Sequence, residues 1–304
     1  MIFSIKILFS VFLVLFLPGY CLNLFLDKKR QFDLIEAIPF AFGSSLLLLS
    51  IGGVLSFMCH FSIGTSFLLL SFSVLGLIFI ILNSKKRINF LPENENLVKN
   101  KSEFIFAIPA LLFFAAIIII GYNIEMPLLL GQEDNVTIMM AQKIKSLHNM
   151  KMDSLLFKRG DINAYILPVY SYILALLSYV SGLEILQIYV KFRFVLSLIA
   201  ISATYAITKT LFPKIRELPW LVLLFVCASV WSGWGAKFSA DTTFSQFFPD
   251  SQYTGFSLCA VLPVCLLFFL SGYRFGTRFF AVSAALTCAI FFIHGREALL
   301  LLVI

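Results

Sequence analysis

The sequence predicts an all-α, polytopic helical membrane protein, and three observations carry that prediction. Hydrophobic side chains make up 60% of the 304 residues and charged ones only 13%, about half the charged share of an ordinary soluble domain. Mean hydropathy is +0.97. The apolar residues are gathered into long runs, and because a helical span takes about 20 of them, roughly nine or ten apolar helices account for most of the chain. This balance excludes a water-soluble enzyme, a disordered regulator, a collagen-like fibre and a disulfide-stapled module. The net charge of +7 resides in the loops between runs, which points to topology and anionic head groups, not to nucleic acid. The six cysteines, Cys21, Cys59, Cys227, Cys259, Cys265 and Cys288, fall inside or at the ends of apolar runs without C-x-x-C spacing. They read as small hydrophobes.

Each element follows from its run. Residues 7–26, between Lys6 and Asp27-Lys28-Lys29-Arg30, form the first span. A cleaved signal peptide is the rival, but an A-x-A site is missing and Tyr20 spoils a lipobox before Cys21. Residues 37–58 and 63–82 form a hairpin around a short turn at 60–62. The polar stretch 83–103, with Lys85-Lys86-Arg87, Lys99 and Lys101, has the basic character of a cytoplasmic loop. Residues 104–122 are the fourth span and complete an N-terminal set, 1–122. The longest hydrophilic segment, 123–163, follows as an outer loop. In it Val136, Ile138, Met139, Met140, Ile144 and Leu147 keep a helical period, which predicts an amphipathic helix lying on the membrane surface. Apolar runs resume at 165–180, 188–208, 220–235, 253–270 and 279–293, and a last one at 298–304 is too short to cross a bilayer. The C-terminal set, 164–304, is therefore expected to continue past Ile304.

Lys and Arg place the loops after the first and third spans inside and 123–163 outside. If every later run crosses once, Lys209, Lys214 and Arg216 fall outside. Two resolutions stand open. Either 165–180, short and interrupted by Pro168, is re-entrant, which also brings Arg274 and Arg278 inside, or the outer bases are phosphate ligands.

Candidate chemistry concentrates in the long loop. Glu133 and Asp134 stand before the amphipathic helix, where a carboxylate can deprotonate an acceptor hydroxyl or ligate a divalent cation. Equally, Asp134 or Asn135 can simply cap a helix starting at Val136. Lys143, Lys145, Lys151, Lys158 and Arg159 share this loop, either as phosphate ligands or as a solvated face on lipid head groups. Lys191 and Arg193 open an apolar run, where they can snorkel or meet a ligand. Asp241 and Asp250 flank the Phe-rich stretch 243–249. His294-Gly295-Arg296-Glu297 sits between two apolar runs, as a head-group site or an interface turn. Asn135-Val136-Thr137 matches a glycosylation acceptor by chance spacing. P-loop, dinucleotide-binding, zinc-protease and nucleophile-elbow strings are missing from the sequence, so those chemistries have no support.

In layout the chain resembles the GT-C superfamily of polytopic membrane glycosyltransferases, which take a sugar from a polyprenyl-phosphate-linked donor on the outer face. The resemblance covers most of the chain and rests on arrangement: the acidic Glu133-Asp134, the amphipathic helix after it, the aromatic-and-proline opening Tyr165 to Pro168, then Gly182, Glu184 and Arg193. The opening Leu17-Pro18-Gly19-Tyr20 is similar to the start of several large bacterial membrane proteins predicted to belong there. The resemblance implies Asp134 as general base or metal ligand, with Glu133 as its neighbour and substitute. Donor phosphate would be held by Lys143, Lys145, Lys158, Arg159, Arg193, His294 and Arg296. The acidic pair runs Glu-Asp where the family often shows Asp-Glu or Asp-x-Asp, and no His follows it at helical spacing. The resemblance implies a bacterial cytoplasmic membrane, the bilayer and a lipid-linked sugar donor as partners, and an envelope glycan, lipid or protein as acceptor. A transporter or flippase for an amphipathic anion, or a non-catalytic assembly subunit, are the alternatives.

Overall fold

The structure, a computed structural model, describes residues 2–26, 32–83, 101–123, 132–146, 169–236 and 261–293. Among these every regular element is helical: α1 (Ile2–Val11), α2 (Leu17–Leu26), α3 (Leu34–Met58), α4 (Ile63–Asn83), α5 (Lys101–Asn123), α6 (Gln132–Ser146), α7 (Val169–Ser181), α8 (Ile185–Leu211), α9 (Leu218–Ala236), α10 (Leu262–Phe275) and α11 (Thr277–Ile293). Helices are the expected answer to an apolar solvent, because each one satisfies its own backbone polar groups. Four stretches are long and apolar enough to cross a membrane, Ile5–Leu24, Leu34–Met58, Ile63–Asn83 and Ile185–Leu211. The protein is an all-α polytopic integral membrane protein.

Elements α1 and α2 are one rod interrupted by a π turn at Phe12–Phe16, where the Leu17 N–H donates to the Phe12 carbonyl. Pro18 explains the interruption, since its ring would strike the carbonyl four residues back, at Val14, in a regular helix. Gly19 then allows α2 to press against α3. A Cβ at Gly19 would lie 1.8 Å from the Ala41 carbonyl oxygen, and the Gly19 N–H donates to Ser45 Oγ at 2.7 Å. Nearby, Ser44 Oγ donates to Asn23 Oδ1 at 2.6 Å. Small residues and interhelical hydrogen bonds are what hold helices together in lipid, where burial of apolar surface favours no partner over the solvent.

The expected spans are present with longer starts. The helix over 37–58 begins at Leu34, because Asp33 and Glu36 form a capping box that belongs to the helix and not to the loop before it. The helix over 188–208 begins at Ile185, where the Glu184 N–H donates to Gln187 Oε1 at 3.2 Å. Residues 165–168, 253–260 and 298–304 of the expected runs lie outside the described residues.

The amphipathic helix between Gln132 and Ser146 turns its apolar stripe onto α7: Ile138, Ala141 and Ile144 are buried in the same core as Val169, Ile173 and Leu177. Ser171 Oγ donates to the Thr137 carbonyl at 3.1 Å and Lys145 Nζ donates to Ser178 Oγ at 2.8 Å. The pairing 137 with 171 and 145 with 178 makes α6 and α7 parallel. The C-terminal ends of both helices lie where α8 begins, Lys145 Nζ donating to the Leu183 carbonyl at 3.3 Å, while Tyr170 in the first turn of α7 packs against Tyr189 and Phe192 in the first third of α8.

An ion pair fixes which end of the bundle carries Lys209. Its Nζ lies 2.8 Å from Asp33 Oδ2, at the N-terminal end of α3 and so at the end that adjoins the first basic loop. Phe279, the third residue of α11, stacks against Phe32 with ring centroids 5.9 Å apart, which brings the α10–α11 corner to that same end. Lys209, Lys214, Arg216, Arg274 and Arg278 thus lie toward one end of the molecule.

Candidate functional site

The densest group of ionisable side chains among those described is built by the first turn of α3 and the last two turns of α8. Asp33 is the N-cap of α3, with φ −77° and ψ 174°. Its Oδ1 accepts the Glu36 N–H at 2.8 Å, while Glu36 Oε2 accepts the Asp33 N–H at 3.1 Å. Four residues apart on one face of α8, Tyr205 and Lys209 reach across. Tyr205 Oη donates to Asp33 Oδ2 at 2.9 Å, and Lys209 Nζ donates to Asp33 Oδ2 at 2.8 Å and to Glu36 Oε2 at 2.7 Å. Trp220, in the first turn of α9, closes the group with its ring 5.1 Å from that of Tyr205 in an edge-on contact.

Two carboxylates thus share one ammonium. The Glu36 side chain is 1% exposed and the Lys209 side chain 28%, so the acid is dry and the base looks onto water. The helix dipoles support both signs, because the acids stand at an N-terminus and the lysine in a last turn. Asp33 Oδ1, Asp33 Oδ2 and Glu36 Oε2 each accept from groups of α3 and α8 themselves. What the arrangement does is clamp these two helix ends together.

A second polar node lies at the opposite end, where α6, α7 and α8 meet. Gly182 turns the chain with φ +69°, a left-handed conformation that glycine adopts without strain, and its N–H donates to the Ser178 carbonyl at 3.0 Å. The Leu183 carbonyl accepts from Ser178 Oγ at 2.5 Å and from Lys145 Nζ at 3.3 Å. Lys145 therefore fastens α6 to the α7–α8 corner with two of its three donors.

The other expected site residues are placed as follows. Glu133 and Asp134 lie within the first turn of α6. Asp134 is not the cap of a helix starting at Val136, because the helix starts four residues earlier, at Gln132; an acid inside the first turn still complements the dipole. Lys143 is half-buried on α6. Lys191 and Arg193 lie in the first third of α8, Lys191 half-buried. Lys151, Lys158, Arg159, Asp241, Asp250, His294 and Arg296 lie outside the described residues. Among the described residues, no three His, Cys, Asp or Glu side chains come together as a metal-binding group. Asp33, Glu36 and Tyr205 were missed by sequence reasoning, although Asp33-Leu34-Ile35-Glu36 has the capping-box spacing just before an apolar run.

Fold and site together define a class: an integral membrane protein with the ends of two helices tied by a buried acid–lysine cluster. No family model, curated protein or solved structure matches the chain.

Proposed function

We propose that this protein is a membrane glycosyltransferase of a bacterial cytoplasmic membrane, transferring a sugar from a polyprenyl-phosphate-linked donor to an envelope glycan, lipid or protein on the extracytoplasmic face. One observation carries the reading. The acid pair Glu133-Asp134 lies in the first turn of α6, a helix that packs on α7, and a carboxylate in such a place can take up a hydroxyl proton or ligate a cation. In this role Asp134 takes the acceptor hydroxyl proton, or holds a divalent cation, and Glu133 stands beside it. A positive donor-phosphate subsite is supplied by Lys143 together with Lys158, Arg159, Arg193, His294 and Arg296.

The test is transfer from a synthetic polyprenyl-phosphate sugar in proteoliposomes. Loss of a general base lowers rates by about 10²- to 10⁴-fold, so Asp134→Asn is expected to lose transfer by that factor while the protein still inserts and purifies as a single species. Full activity in Asp134→Asn and Glu133→Gln together overturns the assignment. The same acid pair, carried on a helix of the bundle, also suits a second reading, transport of an amphipathic anion, which needs ionisable groups among the helices. Uptake of a labelled anion without donor turnover, abolished by the same substitutions, selects transport.

A further inference from the structure

The corner between α8 and α9 combines two properties that rarely share one short segment. Phe212 and Ile215 are 47% and 50% exposed, and between and after them stand Lys214 and Arg216, both exposed. The corner is ordered by its own backbone. The Phe212 N–H donates to the Thr208 carbonyl at 2.9 Å, the Ile215 N–H to the Phe212 carbonyl at 3.1 Å and the Leu218 N–H to the Ile215 carbonyl at 3.3 Å. Below it, Lys209 and Trp220 lock α8 and α9 to the start of α3. Arg278, also exposed, stands at this end beside Phe279. At the other end of the bundle the two described corners, 59–62 and 182–184, contain neither Lys nor Arg.

We propose that the α8–α9 corner is a docking point for the phosphate head group of an anionic phospholipid in the leaflet at this end of the bundle. Phe212 and Ile215 enter the acyl boundary, where aromatic and aliphatic side chains are at home. Lys214 and Arg216 meet the head-group phosphate from above. The charge complementarity selects anionic over zwitterionic lipid, and the rigid corner holds both bases at a fixed height.

The experiment uses the full chain in nanodiscs of dioleoyl-phosphatidylcholine and dioleoyl-phosphatidylglycerol, with native mass spectrometry counting the lipids each protein retains. Wild type is expected to retain phosphatidylglycerol preferentially. With about 1 kcal/mol for each basic residue near the surface, loss of two bases corresponds to a preference weakened by about tenfold or more in Lys214→Gln with Arg216→Gln. The pair Lys214→Arg with Arg216→Lys is expected to keep the preference, and Lys6→Gln, midway along α1 and away from this corner, to leave it unchanged. An unchanged preference in the Gln pair overturns the proposal. Should that pair fail to fold, a salt titration of wild type decides: phosphatidylglycerol retention falling with ionic strength supports the docking point, and retention indifferent to salt overturns it.

Discussion

Lys209 shows how far a single residue can matter in this bundle. An exposed ion pair contributes about 0–1 kcal/mol, whereas removing one partner of a buried pair costs about 3–5 kcal/mol because the other charge is left stranded. Glu36 at 1% exposure and Lys209 at 28% straddle these cases, and the drier partner sets the cost. Lys209→Met is therefore expected to destabilise the protein by about 3 kcal/mol, measured by steric trapping in bicelles. Adding Glu36→Gln should recover most of that loss, since the stranded charge disappears. A single-variant loss below about 1 kcal/mol would mean that water reaches Glu36 and that the clamp is only a surface pair. The sequence hides this cluster because Asp33 and Glu36 look like the polar flank of an apolar run, and because Tyr205 and Lys209 stand 172 and 176 positions from Asp33. Nothing local in the chain announces that pairing.

At the level of helices, the sequence reveals which segments are apolar and hides how closely they approach. The runs at 63–82 and 279–293 were legible to within two residues of α4 and α11, since hydropathy alone fixes them. The π turn at Phe12–Phe16 was not, although Pro18 is its visible cause. Likewise the stripe on α6 reads the same whether it meets lipid or another helix, so its seat on α7 required the fold. Glycines distinguish contact from exposure more sharply. Gly19→Ala pushes a methyl carbon into the Ala41 carbonyl and must separate α2 from α3, breaking the hydrogen bond to Ser45. A loss of about 2–3 kcal/mol is expected, at the upper end of overpacking costs. Gly76→Ala on α4 meets nothing within 4 Å and is expected to be neutral or stabilising by up to about 1 kcal/mol, the helix-propensity gain over glycine. Equal stabilities for the two variants would show that α2 and α3 do not approach as described.

For the whole molecule, topology is where sequence and structure inform one another most. Counting basic residues produces a contradiction if every apolar run crosses, because Lys209, Lys214 and Arg216 then lie on the wrong side. In the structure α6 and α7 both run toward the end where α8 begins, and α8 returns Lys209 to the end that holds Asp33. One consequence can be read in intact membranes. Cys59, exposed in the α3–α4 turn, and residue 214 lie at opposite ends of the bundle, because α3 carries the chain from Asp33 to Cys59 across a full span. With the remaining cysteines replaced by alanine, a membrane-impermeant maleimide should label Cys59 only from the extracytoplasmic side. In a second protein, with Cys59 also replaced, Lys214→Cys should label only from the cytoplasmic side, where the basic loops are expected. Labelling of both positions from one side would mean that Lys209 does not reach Asp33 and that the α8–α9 corner lies with the α3–α4 turn, and the clamp between α3 and α8 would have to be abandoned.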